Sequence, residues 1–353
     1  MCTSLIISDI NGNAYHGRTL EFSFFMPMNV SYIPTGSKIE SVTPDGKQGV
    51  TFNTKYAVTG VTFAAIPGSK QEAVVEGAND QGLTFSANQL NFSTAPAVGN
   101  DSAKILSVAD FGSWILGNFA TVAEVKAAVT SGNTEFWLPP VPDMGNALVP
   151  LHYAIFDKAG NGLVIEFQNN KTNVYDNPVN VLTNGPEFPW HLLNLNNYTQ
   201  TNVDINNAQY GKLPVATVDS GIALSGLPSS QTAAGRFVKA AFYSNYVRKA
   251  KTPDEAIQTL GHIINNFDRP YDLTIDPPGG MGDGPRGNSS SSEVTYWTVM
   301  ADLSRNLFYF RTIFALNWTM IDMSKLANAK QIKSMPIATA SQTGAVELNQ
   351  FYN

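Results

Sequence analysis

The chain has 353 residues, 43% of them hydrophobic and only 14% charged, with a net charge of -6 at pH 7. That composition describes a globular protein rather than a disordered one, and its acidic balance argues against nucleic acid or an anionic membrane as the main partner. No apolar run approaches the roughly 20 residues of a membrane span, and the single cysteine excludes an intramolecular disulfide or a cysteine-rich metal site.

That cysteine is Cys2, directly behind Met1. Loss of Met1, which a small second residue favours, would leave a thiol and a free α-amine on one residue. An α-amine titrates near 8 and can take the thiol's proton, so the pair carries its own general base. The alternative reading of Cys2 is a small buried hydrophobe in a first strand.

Thr3 to Ser8 reads as that strand, Asp9 to Asn13 as a turn of the Asn-Gly kind, and Tyr15 through Leu20 as the return strand. The hairpin brings Arg18 to Glu21 beside Cys2. Further strands are expected at Lys55–Phe63, Ala73–Glu76 and Leu83–Phe92, then a helix at Ile105–Phe119. Thr121 with Glu124 forms a capping box for a second helix, which Gly132 ends. Asp157 to Gly162 is a turn between strands His152–Phe156 and Leu163–Phe167, and strands Asn173–Tyr175 and Val179–Thr183 extend that sheet. Helices follow at Ala233–Lys249 and from Pro253 to Asn266, the second capped by Thr252 with Glu255. Strands Val294–Asp302 and Leu307–Thr312 come last.

Blocks of strands and blocks of helices predict antiparallel sheets covered by helices, not βαβ repeats. The chain shows no internal repeat and no linker, so residues 1–353 read as one domain, with residues 277–292 as a flexible loop inside it. Gly279 to Gly284 lacks the Lys-Ser/Thr ending of a phosphate loop. The four histidines, His16, His152, His191 and His262, show no ligand spacing, so neither a metal nor a cofactor is called.

The opening Met1-Cys2-Thr3 with the hairpin turn and Gly17-Arg18 resembles the choloylglycine hydrolase family, which includes penicillin V acylases. Asn79-Asp80-Gln81-Gly82-Leu83 resembles that family's Asn-Glu-x-Gly-Leu segment. The likeness continues through Leu151-His152-Tyr153, Leu182-Thr183-Asn184-Gly185-Pro186, Trp190-His191, Asn194-Leu195, Leu227-Pro228 and Gly235-Arg236-Phe237. These anchors fall in the right order along most of the chain. The resemblance implies an α+β fold, a four-layer αββα sandwich with two central antiparallel sheets, of the N-terminal nucleophile hydrolase type. It implies Cys2 as nucleophile, Arg18 as the cation beside the thiol, Asn184 as an oxyanion donor and Arg236 as a second site arginine. Glu21 stands where the family has Asp. The other oxyanion donor falls on Gln89 if counted from Leu83, or on Asn91 if Leu90-Asn91-Phe92 is matched; Asn91 is preferred.

The implied activity is hydrolysis of a linear amide through a thioester, without a cofactor. Phe24, Phe25, Met26 and Phe136-Trp137 are candidate walls for an apolar acyl group, and read equally as ordinary core or rim residues. The length and extended middle point to acylases acting on penicillin V or N-acyl homoserine lactones, the main expectation. Leu90-Asn91-Phe92 points instead to glycine- or taurine-conjugated bile salts. Two other classes stand beside these: a catalytically silent binding homologue, favoured by Glu21, and a redox sensor built on the lone cysteine. A small-molecule substrate is the expected partner, with a homotetramer by family analogy. Taken literally the chain carries no signal peptide and reads as cytoplasmic. A secreted or periplasmic precursor cleaved before Cys2 would look the same once a methionine was added.

Overall fold

The computed structural model describes residues 1–23, 26–63, 66–91, 93–141, 147–201, 203, 207–218, 220–271, 273 and 293–341. Residues 277–292, with Gly279 to Gly284, and also Phe24, Phe25 and Phe92, lie outside that set.

The first hairpin is β1 (Cys2–Ser8) and β2 (Ala14–Phe22), joined where Gly12 adopts φ +84° and the Asp9 carboxylate accepts the Asn11 and Asn13 N–H groups. β3 (Met28–Ile33), β4 (Val58–Phe63), β5 (Ala73–Asn79) and β6 (Thr84–Gln89) follow, then helices α1 (Phe111–Asn118) and α2 (Val122–Thr130). β7 (Leu151–Phe156), β8 (Gly162–Gln168), β9 (Lys171–Asp176) and β10 (Val181–Leu182) lead to α3 (Phe188–Asn194). α4 (Ala233–Tyr246) and α5 (Pro253–Ile264) precede β11 (Val294–Asp302), β12 (Leu307–Thr312), β13 (Thr319–Asp322) and β14 (Lys333–Pro336).

Two antiparallel sheets result. One has six strands in the order β10-β1-β2-β11-β12-β13, the other eight in the order β9-β8-β7-β6-β5-β4-β3-β14. α4 and α5 cover the outer face of the first, packing on β1, β2 and β11; α1 and α2 cover the outer face of the second. The expected αββα sandwich is present, and no helix among the described residues is long and apolar enough to cross a membrane.

The packing explains local sequence. All nine residues of β11 are buried because it is central, flanked by β2 and β12 and covered on both faces. Gly17 is needed because a Cβ there would come within 3.0 Å of Leu260 on α5, so helix and strand approach closely. One apolar cluster fills the space between the sheets and under α4 and α5; a second lies between the eight-stranded sheet and α1, with Phe85, Phe111, Phe136, Tyr153 and Phe167 in mutual ring contact.

Several sequence expectations change. The expected strand Leu83–Phe92 stops at Gln89, so Asn91 lies in a turn. The expected helix Ile105–Phe119 begins as a strand over Ile105–Ser107; Ser107 Oγ then caps a 3-10 turn over Val108–Asp110 by accepting the Ala109 N–H, and the chain becomes α-helical only at Phe111. Val179–Thr183 is a strand only over Val181–Leu182, and α4 ends at Tyr246 rather than Lys249. Thr121 and Glu124 form the expected capping box, whereas the Glu255 carboxylate reaches back to the Lys251 N–H, one residue before the Thr252 cap.

Candidate active site

β1 alternates, and its two faces have different company. Ser4 bonds Asn88 of the eight-stranded sheet, while Thr3 bonds Arg236 of α4. Cys2 shares the face of Ser4 and is 3% exposed. Opposite it, Cys2 pairs with Leu20 and Ser4 with Arg18. The Arg18 guanidinium enters the space between the sheets, and its Nη2 lies 3.4 Å from the Cys2 Sγ. Arg18 is fully buried. Burial alone would lower its affinity for a proton, but the Cys2 sulfur and the Glu76 carboxylate outweigh that and hold it above its ordinary range. Thiolate is the attacking form of cysteine, and reactive cysteines characteristically sit beside a cation.

Arg236 comes from the other side. It is on α4, whose start is capped by Thr232 accepting the Gly235 N–H. Its Nη1 donates to the Cys2 carbonyl and to Thr3 Oγ1 (2.7 Å), its Nη2 to Asn184 Oδ1 (2.8 Å) and its Nε to the Gln231 carbonyl (3.0 Å). Burial lowers its proton affinity, partly countered by Glu21 and Cys2.

Asn184 links the two sides. Its Oδ1 accepts from the Cys2 N–H at 2.8 Å and from Arg236. Both partners can only donate, so the amide orientation is assigned with the oxygen toward them. The nitrogen then donates one hydrogen to the Gln89 carbonyl at 2.8 Å, and its second N–H has no hydrogen-bond acceptor among the described residues. The loop carrying Asn184 is fixed from behind. His191 donates from Nε2 to the Asn184 carbonyl (2.7 Å) and stacks on Phe237, with ring centroids 4.5 Å apart. Burial, the largest effect, pushes His191 down to about 4, so the ring is neutral near pH 7. His152 and Asn88 hold the Thr183 carbonyl next to it.

Glu21 is buried, with Oε1 accepting from Thr295 Oγ1 at 3.2 Å. Burial raises its proton affinity, against the opposing effects of Arg236 and the chain's amino group. Met1 is attached in this structure. Its ammonium reaches the Glu21 carbonyl oxygen (2.5 Å) and Glu293 Oε1 (3.3 Å), and its carbonyl accepts the Glu21 N–H (2.8 Å). The Cys2 nitrogen is therefore an amide and cannot yet serve as a base.

The structure thus gathers Cys2, Arg18, Asn184 and Arg236, with Glu21 one layer out. It does not gather Asn91, which is exposed and whose side-chain oxygen accepts from Gln89 Nε2 (3.1 Å). Gln89 touches Asn184 through its backbone carbonyl, not its side chain. Of the candidate wall Phe136-Trp137, Phe136 belongs to the core behind the eight-stranded sheet, packed on Phe111 and Trp114. Met26 does pack against the cluster that contains Cys2. Glu76, Asn88 and His191, which sequence reasoning passed over, are the side chains that hold the site. The only signal for His191 was its place in Trp190-His191. Among the described residues no group of side chains is arranged to hold a metal.

A thiol on residue 2, against a buried arginine between the sheets of an αββα sandwich, defines an N-terminal nucleophile hydrolase. Residues 2–335 match the model of the linear amide C-N hydrolases, choloylglycine hydrolase family. The chain belongs to that family and is a hydrolase of linear amide C–N bonds. It is 29% identical over 331 residues to a bile salt hydrolase/transferase of Clostridium perfringens, covering 92% of this chain and 93% of that protein. It is 28% identical over 299 residues to a penicillin V acylase of Pectobacterium atrosepticum, covering 80% and 70%. Among solved structures it is similar to a mutant conjugated bile acid hydrolase from Clostridium perfringens, with a TM-score of 0.79, 25% identity and coverage of 98% and 100%.

Proposed function

We propose that the mature protein, freed of Met1, hydrolyses conjugated bile salts at the amide joining the steroid acyl chain to glycine or taurine. The observation that carries the amidase reading is the Cys2 Sγ set 3.4 Å from the fully buried Arg18 guanidinium. The bile salt reading is supported by a relative of that name aligned along nearly its whole length, and by Leu90-Asn91-Phe92. It replaces the expectation of a penicillin V or homoserine lactone acylase. The penicillin V acylase similarity covers less of both chains.

In this mechanism the Cys2 thiolate attacks the amide carbonyl, and the free N–H of Asn184 stabilises the resulting oxyanion. Loss of such a donor typically costs about 2.7–4 kcal/mol in the transition state. The Cys2 ammonium gives its proton to the leaving amine as the C–N bond breaks, leaving an acyl-thioester. The neutral amine then takes a proton from water, whose hydroxide releases the acid and regenerates the thiolate. Arg236 keeps the Cys2 carbonyl and Asn184 aligned throughout.

Intact mass spectrometry before and after brief exposure to glycocholate, taurocholate, penicillin V and a long-chain acyl homoserine lactone tests this, with product assayed in the same tubes. The expected result is loss of Met1 and release of glycine or taurine, both products absent in Cys2→Ala. Turnover of penicillin V alone would move the protein to the acylases. Met1-free protein with neither adduct nor product would sink the amidase reading.

A further inference from the structure

We infer that Glu76, backed by His16, is the positioning residue that holds Arg18 against the Cys2 sulfur and shares its single positive charge. The inference rests on Cys2 being the nucleophile. Arg18 is reached from every side. β5 supplies the Val75 carbonyl (2.8 Å) and Glu76 Oε2 (3.2 Å), β6 the Ala87 carbonyl, β1 the Cys2 sulfur, and β11 the Trp297 ring, 5.0 Å from the guanidinium carbon. Glu76 is itself pinned. Its Oε1 lies 2.8 Å from His16 Nε2, and its Oε2 accepts from Ser86 Oγ at 2.6 Å. His16 and Arg18 are two residues apart on β2 and so share a face; Glu76 and Ser86 are directly opposed in the β5–β6 register. All four side chains have no exposure.

The charge count gives this cluster its role. A guanidinium out of water needs an anion in contact, or burial costs several kcal/mol. The Cys2 sulfur can be that anion only while it is a thiolate. In the acyl-thioester it is neutral. Glu76 is the carboxylate that touches Arg18 in every state of the cycle, so the cation stays in place when the sulfur's charge disappears and returns. The same contact has a second consequence. One cation between two anions gives each less than its full field, so Glu76 holds the thiolate less stable than Arg18 alone would make it. Glu76 does not touch Cys2 in any described contact and acts through Arg18.

The test is the pH dependence of Cys2 alkylation by iodoacetamide, followed by mass spectrometry on Met1-free protein. It needs no substrate, so an inactive wild type would sink the amidase reading while leaving this test intact. Glu76→Gln keeps the shape and removes the competing charge. The half-maximum should move down by about one pH unit, or about tenfold faster alkylation on the acid limb. Glu76→Asp should return it toward wild type. On bile salt substrates kcat should fall in Glu76→Gln with KM held within about twofold, since no ground-state contact is lost. Should Glu76→Gln not fold, Ser86→Ala leaves the carboxylate more available to Arg18 and should shift the profile upward. A folded Glu76→Gln whose profile stays in place or moves up overturns the inference, as does an unmoved Ser86→Ala profile where Glu76→Gln cannot be made.

Discussion

Two arginines flank the first strand, one on each face, and they are held by different physics. Arg18 lies between the sheets, in contact with a carboxylate, and its proton is held more tightly than usual. Arg236 lies on the helix side, bonded to carbonyls, an amide oxygen and a hydroxyl, and its proton is held less tightly than usual. Arg18 is a balanced charge aimed at the sulfur. Arg236 is a rigid bracket that fixes where Cys2 and Asn184 sit. Burial is the same for both, so the difference comes from what each guanidinium touches.

The sharpest way to break this contrast is Arg18→Gln. It leaves the Glu76 carboxylate buried beside His16 without its main cation, and removing one partner of a buried pair costs about 3–5 kcal/mol. Chemical denaturation should show that loss, and the double variant Arg18→Gln with Glu76→Gln should recover most of it. Alkylation of Cys2 near neutral pH should slow in both, because the cation is gone in both.

The next effect is on the bracket side. His191 is neutral in the fold, held at about 4 by burial, while in the unfolded chain it takes a proton near 6.5. The unfolded state therefore binds more protons between those values, and stability is lost as pH falls through that window. The shift corresponds to an upper bound of roughly 3 kcal/mol. Thermal unfolding from pH 7 to pH 4 should show a slope that His191→Gln flattens.

Arg236→Gln should cost about 1–3 kcal/mol, the range for leaving buried acceptors unpaired. Its kinetic effect should exceed its effect on alkylation, because geometry rather than sulfur charge is lost. Arg236→Lys should not rescue it, since a point charge cannot make the same forked contacts. Glu21→Gln is the smallest change. Burial raises the Glu21 proton affinity, so the folded state binds more protons than the unfolded state just above the ordinary carboxylate range, and ionisation there destabilises the fold. The variant should melt slightly higher at pH 7, and equal melting temperatures for the two proteins would remove Glu21 from this account.

Local sequence was enough for the first hairpin, for most sheet strands, for α2 and for α5. Each of these rests on short-range chemistry: a Gly at positive φ, a capping threonine, an alternating apolar face. Cys2, Arg18, Asn184 and Arg236 were legible for a different reason, their place in a run of ordered family anchors. Asn91 was not placed correctly because a strand's end depends on what pairs with it. β6 stops at Gln89, and Leu90 turns its N–H to Pro150, a residue 60 positions on. Phe136, a candidate acyl wall that read equally as an ordinary core residue, lies in the core behind the eight-stranded sheet, because an aromatic side chain has the same local pattern in either place.

By itself, then, the sequence determined the class of chain: alternating and helical patterns for an αββα sandwich, and one thiol placed where it can become an N-terminus. Only the tertiary structure decided which buried side chains hold that thiol's surroundings. Glu76, Asn88, His152 and His191 act from strands and loops far from Cys2 in the chain; nothing local distinguishes Glu76 and Asn88 from ordinary core polar residues, and the anchors around His152 and His191 do not say what those rings hold. Their roles come from long-range pairing of charge and hydrogen bonds in a space closed to water, and such pairs exist only after both sheets have come together.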